Sequence, residues 1–139
     1  MRKGIILMVL FLTSFLLISG VYSQTVNDWE RKVYYEATDR VYNLPKGYSN
    51  EDYNRVLRET AYDYGLTYAE MKDIVDRVWD QDLTDKEWDI SDEIWDKFDA
   101  LPKNASEYQT NQIYQEVANK YGLPVNVVYD IDDRAWWGF

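Results

Sequence analysis

An all-α fold of two tandem three-helix units, with no sheet, is predicted by three observations. The chain repeats itself at a fixed spacing, its apolar residues recur at helical intervals that stop at matching places, and no segment of useful length alternates as a strand would. Moved by 57 positions, Leu44-Pro45-Lys46 falls on Leu101-Pro102-Lys103 and Tyr64-Gly65-Leu66 on Tyr121-Gly122-Leu123. Asp73 and Ile74 fall on Asp130 and Ile131, Asp76 and Arg77 on Asp133 and Arg134, and Trp79 on Trp136. From Asp28 to Asp80 there are 19 identities in 53 ungapped pairs, too many for chance in one register. The predicted boundaries are a leader over 1–23, a first repeat over 24–82 and a second over 83–139.

The elements follow in order. After a polar stretch read as a loose N-terminus, Trp29, Val33, Ala37, Val41 and Leu44 mark one face of a helix from about Asp28 to Asn43. Pro45 ends it, because proline disfavours helical geometry in the residue before it. Ser49 caps the second helix with Asp52 three residues on, and Tyr53, Val56, Leu57, Thr60, Ala61 and Tyr64 form its buried face. Gly65 stops it, since glycine tolerates the left-handed conformation after a helix and Leu66 packs back on the last turn. Thr67 and Glu70 form a capping box for the third helix, which buries Met71, Ile74, Val75 and Val78.

Asp80-Gln81-Asp82-Leu83 joins the copies, and the box Thr84/Glu87 opens the second. Its helices carry Trp88, Ile90, Ile94, Trp95, Phe98 and Leu101, then Ile113, Tyr114, Val117, Ala118 and Tyr121, then Val125, Val128, Ile131, Ala135 and Trp136. Pro102 and Gly122 stop the first two, and Pro124 begins the third in the first-turn position that suits proline.

The ends and the composition bound the compartment and the chemistry. Met1-Arg2-Lys3-Gly4, the apolar run Ile5 to Ile18 and the small residues up to Ser23 have the three parts of a secretory signal peptide, with cleavage expected before Gln24. The run is shorter than the roughly 20 residues a spanning helix needs, so no stable membrane insertion is expected after cleavage. The expected location is secreted or periplasmic. Without Arg2 and Lys3, 13 basic residues face 25 acidic ones, a net charge of −12. No Cys is present, so the exported chain must hold together by packing alone. No His is present either, which removes Ser-His-Asp and Cys-His catalysis and the usual zinc sites. No cofactor and no metal are expected.

Within each copy the second and third helices carry Ala61, Tyr64, Gly65, Leu66, Met71 and Ile74, and again Ala118, Tyr121, Gly122, Leu123, Val128 and Ile131. This pattern resembles the packing motif of the helix-turn-helix over about 20 residues per copy. The resemblance implies the packing geometry and, in that family, a second helix of the motif, the third of each copy here, that enters the major groove. That helix here is acidic, with Asp73, Asp76, Asp130, Asp132 and Asp133, whereas phosphate contacts need Lys and Arg. The expectation is the geometry without nucleic-acid binding.

Other constellations have plain readings. Asp80 to Asp85 has some look of a calcium loop, but the sixth and twelfth places hold Asp85 and Ser91 where Gly and Glu are required, so a solvated acidic joint is expected. Asp73/Arg77 and Asp130/Arg134 are read as surface i, i+4 pairs contributing about 0.2–0.5 kcal/mol each. Glu36/Glu93 and Glu59/Glu116 recur in both copies, yet in so acidic a chain carboxylate pairs are easily found, and no catalytic residue is assigned. Trp79 and Trp136, at the edge of the third helix's apolar face, are read first as core. Trp136, Trp137 and Phe139 together form a candidate aromatic binding end. Asn104-Ala105-Ser106 is a glycosylation sequon. The functional expectation is an exported acidic interaction module, more in keeping with a non-enzyme, that binds a cationic protein or cell-envelope component. The alternative is a carboxylate-dependent hydrolase acting on an envelope glycan, favoured if a cleft between the copies is lined by carboxylates with perturbed pKa.

Overall fold

The computed structural model describes residues 25–137. The expected leader and Phe139 lie outside the described residues. Among the described residues six helices run in order, α1 (Asp28–Tyr42), α2 (Asn50–Asp63), α3 (Tyr68–Trp79), α4 (Asp85–Asp99), α5 (Glu107–Tyr121) and α6 (Val125–Trp137), and no strand occurs. The first three helices pack on one another, the last three do the same, and the copies meet where α1 lies along α6. The reciprocal pair, α3 with α4, is not packed in this way.

Local sequence sets every helix start but the last. Asn27, Ser49, Thr67, Thr84 and Ser106 each cap a helix, and each is answered by Glu30, Asp52, Glu70, Glu87 and Gln109 in a full capping box. Each box satisfies two of the backbone N–H groups that a helix start leaves without partners. α6 begins after Pro124, whose carbonyl accepts from the N–H groups of Val127 and Val128. The reading of a loose N-terminus stops short here. Asn27 is a cap, Val26 is buried, and the Val26 N–H donates to Gln81 Oε1 at 3.2 Å, which ties the start of the first copy to the joint.

Each copy has its own apolar core. In the first, Val33, Ala37, Leu57, Ala61, Met71, Ile74 and Val78 come together; in the second, Ile90, Ile94, Ile113, Val117, Ala118, Val128 and Ile131 do so. Tyr35 packs against both. The helical face expected of α1 is only partly right: Trp29 is exposed, whereas Arg31, Tyr34 and Thr38 are buried. α1 has two covered sides, one toward its own core and one toward α6, and the apolar pattern records only the first.

The stop at Gly65 is a Schellman turn. The Leu66 N–H donates to the Ala61 carbonyl at 2.8 Å and the Gly65 N–H to that of Tyr62 at 3.1 Å. Gly65 and Gly122 sit at φ +68° and +66°, and a Cβ built on either meets no atom within 4 Å. The demand for glycine is therefore one of backbone conformation, not of space. Gly65→Val and Gly122→Val should each destabilise by at least about 1 kcal/mol in urea unfolding; unchanged midpoints at both positions would show that these turns tolerate a side chain.

Candidate functional site

The seam between the copies is built on one carboxylate. Glu87 is the capping-box partner of Thr84, accepting from the Thr84 N–H and Oγ1, both at 2.8 Å. Three more donors converge on it: Arg31 Nη1 at 2.8 Å, Tyr35 Oη at 2.6 Å and Arg134 Nη2 at 2.6 Å. Arg134 Nε donates to Asp130 Oδ2 at 3.0 Å, and Tyr34 Oη donates to Asp130 Oδ1 at 2.7 Å. Glu87 is 1 % exposed, and the cluster holds two cations and two carboxylates, so its buried charge is balanced.

The first copy repeats the core of this arrangement. Glu30 answers the Asn27 cap, Arg77 Nη2 donates to Glu30 Oε1 at 2.6 Å, and Arg77 Nε donates to Asp73 Oδ2 at 2.7 Å. In each unit the third helix's arginine thus clamps the first turn of the first helix. The reading of Asp130/Arg134 as a surface pair is corrected by this geometry. Both side chains are 4 % exposed, because α1 lies over them and places Arg31, Tyr34 and Tyr35 on top. Asp73/Arg77 has no such cover, and its Asp73 remains exposed. What sequence reasoning missed is the second role of Glu87, named only as a cap, and its counterpart Glu30 altogether. Both are repeat identities at the third helical position of a capped helix, a signal present in the sequence but passed over for Glu36/Glu93 and Glu59/Glu116.

Those four carboxylates are surface partners of cations in their own copies. Glu36 accepts from Arg40 at 3.0 Å, Glu93 from Lys120 and Tyr121, and Glu116 from Lys97 at 3.2 Å, while Glu59 lies 3.9 Å from Arg55. At the seam, burial alone would raise the pKa of Glu87, but the Arg134 charge and the Tyr35 and Arg134 hydrogen bonds win and lower it to about 2. Asp130 moves the other way: burial raises it, opposed by Arg134 and Tyr34. Burial and the neighbouring carboxylates push the Tyr34 and Tyr35 hydroxyls far above the usual tyrosine range, so both are fixed donors.

Beside this cluster lies a tryptophan face. Five of the six tryptophans border two adjoining hollows, which share Trp88 and Ala135. Trp88, Trp95 and Trp136 line one of about 350 Å³; Trp79, Trp88 and Trp137 line the other, of about 150 Å³. Trp95 meets Trp136 edge to face at 4.7 Å. Asp92 borders the first hollow, and Asp80 and Asp82 the second. The reading of Trp79 and Trp136 as core is corrected: they are 51 % and 59 % exposed, one position past Val78 and Ala135, where the apolar stripe of the third helix ends. Trp137 is 82 % exposed. The structure thus brings Trp136 and Trp137 to the surface and adds Trp79, Trp88 and Trp95 to them. At the joint, Gln81 turns inward to Val26, and no group of three or more carboxylates suited to a metal occurs among the described residues. No helix among them is long and apolar enough to cross a membrane.

Replacing Glu87 removes the buried carboxylate that Arg31 and Arg134 share and leaves Arg134 with Asp130 alone, which costs about 3–5 kcal/mol. The equivalent change at the more exposed Glu30 should cost about 1 kcal/mol or less. Thermal and urea unfolding of Glu87→Gln and Glu30→Gln check this ranking; equal losses would contradict it. The lowered pKa of Glu87 supports the fold fully above its unfolded value near 4.5, and that support is lost as the pH falls through about 2. Asp130, being raised, contributes in the opposite sense and offsets part of the loss. The destabilisation by Glu87→Gln should therefore shrink as unfolding is measured from pH 5 towards pH 2.

Comparison with protein-family models, with curated proteins and with solved structures returns no match to this chain.

Proposed function

We propose that this chain is an exported helical-repeat interaction module, and that the tryptophan face at the seam is where it engages a cationic protein or cell-envelope component. The observation that carries this reading is the joint exposure of Trp79, Trp136 and Trp137 around hollows bordered by Asp80, Asp82 and Asp92. Large exposed rings are costly to leave in water and supply most of the contact energy in protein interfaces. Lys or Arg side chains are attracted both by indole faces and by the neighbouring carboxylates. The acidic chain steers such a partner in and disfavours nucleic acid and anionic lipid. The Glu87 cluster beneath belongs to the scaffold: it fixes α4 and α6, whose surfaces carry Trp88, Trp95, Trp136 and Trp137.

The hydrolase alternative lacks comparable support. A glycosidase sets two carboxylates across an open cleft, one of them with a raised pKa. Asp130 and Asp132 are both raised by burial, but Asp130 has both oxygens held by Tyr34 and Arg134, and Asp132 is buried and bonded to Tyr114, away from any open cleft with a second carboxylate across it. Glu87 is lowered and enclosed.

Affinity capture from the native envelope fraction tests the proposal. A partner retained by the wild type should be lost with Trp95→Ala or Trp137→Ala. Its on-rate should fall as salt rises from 0.1 M to 1 M, where the Debye length shrinks from roughly 10 Å to 3 Å. Retention indifferent to both changes would place the binding surface elsewhere.

A further inference from the structure

A second cavity, of about 500 Å³, opens in the first copy between α1, α2 and α3, on the other side of Trp79 from the hollows at the joint. Its wall is aromatic, with Tyr42, Tyr48, Tyr53 and Trp79, and its floor is small, with Ala37, Thr38, Val41 and Leu57. Lys46 stands at its edge, and Asp130, already bonded to Tyr34 and Arg134, is the one carboxylate among its lining residues.

The second copy shows what belongs on such a floor. Shifted by 57 positions, Ala37, Thr38, Val41 and Leu57 become Ile94, Trp95, Phe98 and Tyr114. Those rings pack edge to face in a run, Trp95 on Phe98 at 6.0 Å and Phe98 on Tyr114 at 5.5 Å, with Trp136 closing on Trp95. Edge-to-face contact is a favoured arrangement for such rings. The same three-helix unit therefore fills its groove with its own rings in one copy and leaves it open, walled by rings, in the other. Tyr48 and Tyr53 correspond to Ala105 and Thr110, so the rings of the first copy stand at the mouth, not on the floor.

We infer that the groove of the first copy receives an aromatic side chain from a partner polypeptide, in the place that Trp95 and Phe98 fill from within the second copy. The occupant is an indole or phenyl ring inserted between Tyr48, Tyr53 and Trp79, onto Val41 and Leu57. Lys46 suits a neighbouring carboxylate or backbone carbonyl on the incoming segment. This site shares Trp79 with the tryptophan face but none of its other rings, and its test does not depend on that face.

The test uses residues 24–139, isotope-labelled, with N-acetyl-L-tryptophanamide as probe and N-acetyl-L-leucinamide as control. Saturable amide shifts are expected at Val41, Leu57 and Val75 with the first probe and at least about tenfold weaker binding with the second, a difference of 1.4 kcal/mol. Val41→Phe, which copies Phe98 into the floor, should abolish the shifts while keeping the thermal midpoint. Thr38→Trp, which copies Trp95, serves as the second plug if Val41→Phe fails to fold. Four results would overturn the inference: no saturable shift in the groove, equal binding of the leucine amide, binding that survives a folded plug, or groove shifts that track the chain's own concentration. The last would make the occupant a second copy of this chain.

Discussion

Once the Glu87 carboxylate is out of water, it has to be met by charge, and the charges come from both ends of the chain. Arg31 reaches it from the first helix and Arg134 from the last, and Tyr35 adds a hydroxyl. An isolated ion in a low-dielectric interior is prohibitively costly, so the buried carboxylate in effect requires α1, α4 and α6 to meet at one point. The apolar cores could form copy by copy, since each closes on its own three helices. The seam cannot, because Arg31, Tyr34 and Tyr35 of the first copy meet Glu87 and Asp130 of the second, 52 to 96 residues away. A buried ion cluster of this kind adds little over a well-packed apolar seam of the same shape. What it adds is selectivity, because any register other than the native one leaves charges without partners.

Duplication alone does not produce the seam. The clamp of arginine onto a capping-box glutamate is common to the copies, in Glu30 with Arg77 and in Glu87 with Arg134. What distinguishes them is the cover. Arg31, Tyr34 and Tyr35 lie over the second clamp, whereas their counterparts Trp88, Ser91 and Asp92 line the hollow beside Trp95 and Trp136. At those positions the second copy has become a surface bearing tryptophan. The joining of the copies and the exposed aromatic face are thus two outcomes of divergence at the same side of the first helix.

This division explains how much of the molecule was legible beforehand. The helices, three of their five capping boxes, the stops at Gly65 and Gly122, and the tandem plan could be read because each rests on residues within a few positions of one another. Thr84 with Glu87 and Gly65 before Leu66 are such signals. The Glu87 cluster could be half read: its repeat identities were visible, but the burial of Asp130 and Arg134 depends on α1 crossing over from the far end of the chain. The exposure of Trp79 and Trp136 was misread because apolar character alone does not tell the last covered turn of a helix from the first uncovered one. The tyrosine-walled groove had no sequence signal by itself. It emerges only when the floors of the two copies are compared position by position.

The account makes the two copies one cooperative body, joined through Glu87 and not merely tethered by the acidic joint. Differential scanning calorimetry of residues 24–139 tests this most directly. A single transition, with calorimetric enthalpy equal to the van't Hoff enthalpy, is the expected result. Two resolved transitions, or a calorimetric enthalpy near twice the van't Hoff value, would mean that the copies unfold separately and that the charge cluster does not hold them together.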